Sequence, residues 1–367
     1  MEALITILRE VRDPRDCNAR HDCPAMLFVA LMATLCGAKS CVDIADFAEA
    51  NAADLVEMVD LAHGAPSHDC FSRLFRLLDP EAMTGIFEAF ARAFREGLGL
   101  GPARGIVAID GKRLRRGYER GRAHMPPLMV SVWDAETRLS ISARASADGN
   151  EVAAALEVLK SLDLKGCTVT ADALHCHAKM ARGVRARGAH YAFKLKGNNG
   201  PLHACAVKAF ANADARADLA AYETLDEAHD RIERRRASVV APPPDAPAFP
   251  DLALFGRIET GRKLAKGGIA TSTHYVALSK HMSPKAMSLA TRAYWSVENA
   301  LHWPLDVVFD EDNARTRKNH APQNLSIIRR MALDILRAHP DKRSIGRKMK
   351  RAAWSKDFFF ELFTHMQ

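Results

Sequence analysis

GIVAIDGKRLRRG, residues 105–117, sets a single carboxylate at the end of an apolar run and cations directly after it. Ile106 to Ile109 read as a buried strand, Asp110 closes it, and Lys112, Arg113, Arg115 and Arg116 follow. CTVTAD, ending at Asp172, repeats the pattern of an apolar strand tipped by an acid. If the two strands lie side by side and parallel, both carboxylates leave the sheet at one edge, where α/β proteins bind ligands.

The flanking segments agree with such a sheet. PLMVSVWDA and RLSISARAS read as two more strands, EVAAALEVLKSL as a helix, YAFKLKG as a strand and PLHACAVKAFANA as a helix. A three-stranded meander leading into alternating strands and helices predicts an α/β domain. Ahead of it, residues 1–100 predict an all-helical domain. CPAMLFVALMATLCGA and CVDIADFAEANAADLVEMV carry apolar residues at helical spacing, Ser67 is a candidate N-cap, and Pro80 and Gly97 bracket a further helix. GLGLGPARG, residues 97–105, is the expected linker, and residues 101–367 form the second domain. Within it, about 221–280 reads as a β-rich insertion broken by the loop APPPDAPAFP. From about 284 onward the chain is helical again.

The chain has 367 residues and a net charge of +8, distributed unevenly. Residues 1–100 hold nine Lys and Arg against sixteen Asp and Glu, a net of −7, so the remainder carries +15. Residues 313–351 alone contain twelve Lys and Arg and two Asp. A basic body behind an acidic front predicts contact with a polyanion, and argues against the front helices as phosphate binders by themselves. The first residues are amphipathic and acidic, unlike a secretion signal, and no apolar run is long enough to span a bilayer. A cytoplasmic, nucleoid-associated protein is expected. Eight cysteines without paired spacing suit reduced thiols. Cys17, His21 and Cys23 lack a second half-site for zinc, and His175 with Cys176 lacks further ligands.

A third acid, Glu298, lies on the helix RAYWSVENALHW, sharing a face with Tyr294 and His302 at i, i+4 spacing. Converging carboxylates repel and raise one another's pKa unless cations intervene. Paired Mg²⁺ ions suit such oxygen ligands and serve phosphodiester chemistry, while adjacent Lys and Arg hold the polyanion. Asp306, Glu311 and Asp312 are alternative third acids. Trp295 and Trp303 could stack on a base, although core packing is expected for at least one of them.

These motifs resemble those of bacterial insertion-sequence transposases of the DDE type, within the H-repeat-associated (AS-type) group. The resemblance rests on AIDGKRLRRG, TVTADALHCH, YAFKLKGNN, HDRIERR and the long stretch YWSVENALHWPLDVVFDEDNARTRKNHAPQNLSIIRRMAL, with DPRD, LCGAKSCVDIADFAE and PSHDCFSRLFRLLDP in front. It implies a ribonuclease H-like catalytic fold with a mixed sheet, preceded by a helical transposase-associated domain. It further implies Asp110, Asp172 and Glu298 as a catalytic, metal-binding triad with Mg²⁺ (or Mn²⁺), two ions in all. The implied activity is cleavage of element ends in double-stranded DNA and their joining to target DNA through a 3′-hydroxyl, by a homodimer or larger assembly. Expected DNA contacts are Lys112, Arg113, Lys194, Lys196, Trp295, His302, Arg315 and Arg317. Broader relatives carry a Tyr-x2-Arg-x3-Glu-x6-Lys signature; here Tyr294 stands where its arginine falls, and Leu305 where its lysine falls. DGNE at 148–151 replaces a more basic version. Competing functions are a transposase-derived DNA-binding protein without catalysis, and a metal nuclease or phosphatase without strand transfer.

Overall fold

The computed structural model describes residues 1–118, 126–215, 219–228, 231–263 and 268–364. Six helices come first: α1 (Glu2–Leu8), α2 (Cys23–Leu35), α3 (Cys41–Ala50), α4 (Ala52–Val56), α5 (His68–Leu77) and α6 (Pro80–Gly97). Local chemistry sets their ends. Ser67 accepts the Cys70 N–H at the start of α5, Asp79 precedes Pro80 at the first position of α6, and Ser40 closes a capping box with Asp43 on α3. The expected one-sided pattern of α2 is not what the fold uses. Twelve of its thirteen residues are buried, because other helices enclose it.

The sheet follows with β1 (Ile106–Arg113), β2 (Leu128–Asp134), β3 (Leu139–Ser146), α7 (Glu151–Ser161), β4 (Thr168–Ala171), α8 (Ala178–Ala186), β5 (His190–Leu195) and α9 (Gly200–Ala215). Four long strands come next: β6 (Ala221–Ala228), β7 (Arg231–Val240), β8 (Leu254–Lys263) and β9 (Ile269–Leu278). All nine join one sheet in the order β3-β2-β1-β4-β5-β9-β8-β7-β6. Only β1/β4 and β4/β5 pair in parallel; the other neighbours are antiparallel. The strand-rich segment is therefore no separate layer. β9 pairs with β5 and carries the sheet outward, with APPPDAPAFP looping between β7 and β8. Of HDRIERR, residues 229 and 230 lie outside the described residues.

Alternation along β1 assigns its two faces. Val107 and Ile109 pack against α7 and α8 together with Val169, Tyr191 and Phe193. Ala108 faces the other way, into a core shared by α2, α5, α6 and the C-terminal helices. Those helices are α10 (Pro284–Val297), α11 (Trp303–Val307), α12 (Ala321–Ala338), α13 (Ile345–Trp354) and α14 (Lys356–Glu361). A third apolar cluster seats Met287 and Ala290 of α10 on Ala192, Ile258, Val276 and Leu278 of the extended sheet. The acidic front helices thus share one core with the basic C-terminal region. Asn324 on α12 donates to the Phe75 and Leu78 carbonyls, both at 2.9 Å, and Lys356 pairs with Asp54 at 2.7 Å.

Part of the basic C-terminal segment is spent inside the fold. Arg330 is fully buried, with Arg329 beside it, both facing the buried carboxylate of Glu311 at 3.4 and 3.8 Å. Lys348 donates to the Leu336 and His339 carbonyls at the end of α12, each at 2.8 Å, satisfying groups a helix C-terminus leaves open. Net charge read along the sequence could not separate these cations from those facing solvent.

Asp334 on α12, 1% exposed, accepts the Ser140 N–H at 3.2 Å. Burial lifts its carboxyl to about 7, against the opposing pull of Arg337 and the Ser140 amide. Between about pH 4 and 7 an unfolded chain has released this proton while the native state still holds it. The residue's stabilising contribution is therefore present below about pH 4 and lost as pH rises to about 7. Relative to Asp334→Asn, which has no proton to release, the wild type should lose thermal stability across that window and not beyond it. Melting curves at a series of pH values check this.

Candidate active site

The parallel ladder between β1 and β4 ends at Ile109 opposite Ala171. Asp110 follows within β1, and Asp172 is the first residue beyond β4, where it precedes the turn Ala173–His175. Alternation along β1 sends the Asp110 side chain toward the face covered by α10, where Tyr294 meets it. Asp110 does not end its strand, as its sequence suggested: β1 runs on to Arg113, antiparallel to β2, with Asp110 opposite Ser131. What ends at Asp110 is the support from β4, and that opens space beside it.

The third acid arrives from α10. Pro304 lacks the N–H that a regular helix would donate to the Ala300 carbonyl. Arg337 donates to that carbonyl instead. Before the proline, Glu298–His302 widens into a single π-turn, with Trp303 N–H bonded to the Glu298 carbonyl. Such turns are frequent at functional sites. This one puts His302 Nδ1 3.2 Å from Glu298 Oε2 and 3.4 Å from Asp110 Oδ2. Ligand atoms of Asp110, Glu298 and His302 all lie within 4.8 Å of one another, the only such group of three or more among the described residues. One turn earlier, the Tyr294 hydroxyl donates to Asp110 Oδ1 at 3.0 Å.

The electrostatics of this cluster favour an added cation. Burial raises the Asp110 carboxyl; His302 and the Tyr294 hydroxyl oppose this, while Glu151 and Glu298 push it further up. The hydrogen bond from His302 holds Glu298 below its ordinary value despite partial burial. His302 is 5% exposed and its Nε2 is buried with no hydrogen-bond partner. Two acids and an imidazole are donors that suit Mn²⁺, and the carboxylates suit Mg²⁺. Asp172 stands apart from the group. It accepts from Lys196 Nζ at 3.3 Å, and although burial alone would raise it, the Ala173 N–H and Lys196 hold it below the usual carboxylate range.

Comparison with known proteins bears on the same residues. A family described as "Transposase DDE domain" matches residues 101–335, and one described as "DDE_Tnp_1-associated" matches residues 5–91. The chain belongs to the DDE transposase family. It is 30% identical to "Putative transposase YncI" of Escherichia coli O157:H7 over 370 residues, covering 98% of this chain and 93% of that protein. It is 27% identical to "H repeat-associated putative transposase YhhI" of Escherichia coli K12 over 352 residues, or 93% and 92% of the two chains. The H-repeat-associated group named from the sequence motifs is thus the group its relatives represent.

In this DDE family member the expected DNA-contact residues separate into two sets. Lys194 lies in a cavity of about 330 Å³ between α10 and strands β4, β5 and β7 to β9, with Arg235, Arg262, His274, Tyr294 and Trp295 on its walls. Its ammonium sits 6.0 Å over the Trp295 ring. Trp295 and Trp303 are each more than half exposed, so neither is core packing. Arg315 is exposed, and Arg317 is half-buried with its Nε on the Arg116 carbonyl at 2.9 Å. Lys112 is different: 7% exposed, it is held by Asp306 at 2.6 Å and Asp312 at 2.8 Å, which leaves its ammonium no open face for phosphate. Arg113 donates to the Pro126 carbonyl at 3.3 Å, and His302 is enclosed between the two acids.

The remaining sequence candidates resolve as structural. Asp306 and Asp312 serve Lys112, and Glu311 serves the buried arginines. Cys17 is exposed while Cys23 is buried, and Cys17, His21 and Cys23 form no ligand group. Cys176 is buried and its thiol is pushed up to about 12. No helix among the described residues is long and apolar enough to cross a membrane. Sequence reasoning missed Arg262 as a wall of the cavity and the packing of Glu151 between Gly111 and His175. Neither has a local signal, since each depends on partners brought in by the sheet.

Proposed function

We propose that this protein is an active DDE transposase that nicks the ends of an insertion sequence and joins the freed 3′-hydroxyl to target DNA, with Asp110, Asp172 and Glu298 as its metal-holding triad. The reading is carried by one observation: Asp110 and Glu298, remote in sequence, share a 4.8 Å cluster with His302, at the point where the β1–β4 ladder delivers Asp172. The strand order β3-β2-β1-β4-β5, with β1, β4 and β5 parallel, supports a ribonuclease H-like core extended by four strands.

Mg²⁺ or Mn²⁺ held at the triad would supply positive charge to the phosphodiester oxygens and favour the ionised form of the attacking hydroxyl or water. The chain's own residues do the rest. Tyr294 and His302 fix the Asp110 carboxylate in one orientation. Lys196 holds Asp172 ionised until the centre is loaded, and its charge then becomes available to the DNA backbone. In the neighbouring cavity Arg235 and Arg262 share the carboxylate of Glu233, Lys194 adds a further cation, and Trp295 offers an exposed ring for stacking. The acidic front helices position the catalytic region through their common core instead of binding phosphate. The double-stranded ends must be paired for joining, so a dimer or larger assembly is the working form.

Purified protein incubated with labelled element ends, a target duplex and Mg²⁺ tests this, with Asp110→Asn in parallel. Metal-dependent nicking at the ends followed by joining supports the proposal. Binding without nicking favours the second reading, a silent DNA-binding descendant, and cutting without joining favours a plain nuclease.

A further inference from the structure

Two tethers hold the helix on either side of Glu298, and both end on the same unit. Ser296, two residues before it, accepts the Trp133 indole N–H at 3.2 Å and donates its own hydroxyl proton to the Ala293 carbonyl at 2.6 Å. Ala300, two residues after it, has its carbonyl on the guanidinium of Arg337. That guanidinium lies over the Trp133 ring, 5.0 Å from the centroid, so indole and guanidinium form one stacked pair. The pair is itself fixed to the sheet. Trp133 is fully buried on β2, opposite Ala108 of β1, and so lies on the face that Asp110 shares. Arg337, on α12, also donates to the Arg138 carbonyl at 3.2 Å, in the turn between β2 and β3.

What the two tethers span is the π-turn, and the turn decides which side chains reach Asp110. Tyr294 stands before it and His302 closes it, yet both bond the Asp110 carboxylate, one on each oxygen. Eight residues of regular helix would leave these two side chains about 80° apart around the axis. The one extra residue of a π-turn reduces that offset to about 20°. Pro304 frees the Ala300 carbonyl that a regular turn would use, and Arg337 takes it up. The widened turn therefore depends on a side chain from α12 that itself touches none of the three acids of the triad.

We infer that Trp133 and Arg337 are positioning residues of the catalytic centre: as a stacked pair they hold the π-turn, and so keep Glu298 and His302 in reach of Asp110. The inference rests on the metal-dependent reading above. Each member has a separate task. Trp133 ties the last turn of α10 to β2 through Ser296, and Arg337 fixes the widened turn through the Ala300 carbonyl. A pair that only packed the helix against the sheet would protect stability and leave ion binding alone.

Titration of the full-length protein with MnCl2, read by the Mn²⁺ electron paramagnetic resonance signal, tests this beside kinetics on labelled element ends. Arg337→Lys keeps the charge but loses the stacking plane and the fork that reaches two carbonyls. It should bind Mn²⁺ about 10- to 100-fold more weakly than wild type, as loss of a residue that orients a ligand does. Its kcat should fall by a similar factor while KM for the DNA ends stays unchanged. Arg257→Lys is the matched control, because Arg257 on β8 stacks 4.8 Å from the Phe210 centroid and pairs with Asp214 at 2.6 Å, on elements that carry none of the triad. It should bind Mn²⁺ as wild type does. Should Arg337→Lys fail to fold, Ser296 decides: Ser296→Ala removes one tether and should weaken Mn²⁺ about tenfold, and Ser296→Thr, which keeps the hydroxyl, should restore it. Wild-type affinity in the folded Arg337→Lys and Ser296→Ala proteins, or equal weakening in Arg257→Lys, would overturn the inference. Asp110→Asn separates the two levels. If it loses Mn²⁺ while Arg337→Lys keeps it, only the positioning role falls; if Asp110→Asn keeps it too, the metal-dependent reading falls and the inference with it.

Discussion

Asp110→Asn is expected to lower both nicking and joining by about 10³-fold while leaving DNA affinity nearly unchanged. Lewis-acid stabilisation in such sites is worth several kcal/mol, and each 1.36 kcal/mol is tenfold in rate. Asp110 is the residue on which the whole cluster converges: Tyr294, His302, Glu298 and Glu151 all act on it. The amide keeps the shape and can still accept from Tyr294, so loss of activity would report the missing charge and not a collapsed site. Removing that charge also lessens repulsion within the cluster, so the variant should be at least as stable as wild type without metal. A rate loss combined with unchanged or raised melting temperature is the signature expected. Kinetics on labelled ends and a thermal melt of the same preparation measure both.

The largest stability effect should come from Glu311→Gln. Glu311 is 2% exposed and faces Arg329 and Arg330, which are 4% and 0% exposed. Burial works against its charge, but the two guanidiniums outweigh that and hold its carboxyl below the usual range. Arg330 in turn reaches Ser131 on β2 at 3.3 Å, next to the strand that carries Asp110. Neutralising Glu311 leaves two buried guanidiniums without a counter-charge, which costs about 3–5 kcal/mol. Denaturant or thermal unfolding should show a loss of that size. By the same logic, replacing Glu311 and both arginines with well-packed apolar residues of similar volume should recover much of it.

What the sequence made legible follows the range of the forces involved. The meander β1 to β3, the helix–strand alternation after it, and the Ser67, Pro80 and Gly97 boundaries are set by neighbours a few residues away, and all were readable. The apolar runs leading to Asp110 and Asp172 marked two buried strands, but their parallel pairing was only a condition in the sequence and became visible in the sheet. Lys112 was not readable as an interior residue: its polar neighbours GKR look like a loop, and only the remote Asp306 and Asp312 make its burial tolerable. The same holds for Arg329 and Arg330, which belong by sequence to the basic C-terminal tract and by structure to the buried carboxylate of Glu311. The π-turn at Glu298 could not be seen in a helical pattern, although Pro304 is its local cause. Glu151 was hidden for the simplest reason, since it packs against Gly111 from the other face of the sheet.

The central claim is that the three acids close on metal at the end of the β1–β4 ladder. Asp172 is the member that must change, since its carboxylate now lies against Lys196. A crystal structure of the full-length protein soaked in MnCl2, phased to locate manganese by its anomalous signal, tests this most directly. The account predicts manganese bound by Asp110 and Glu298, with Asp172 turned from Lys196 onto the ion. Manganese absent from this cluster, or Asp172 still paired with Lys196 in the loaded protein, would contradict it.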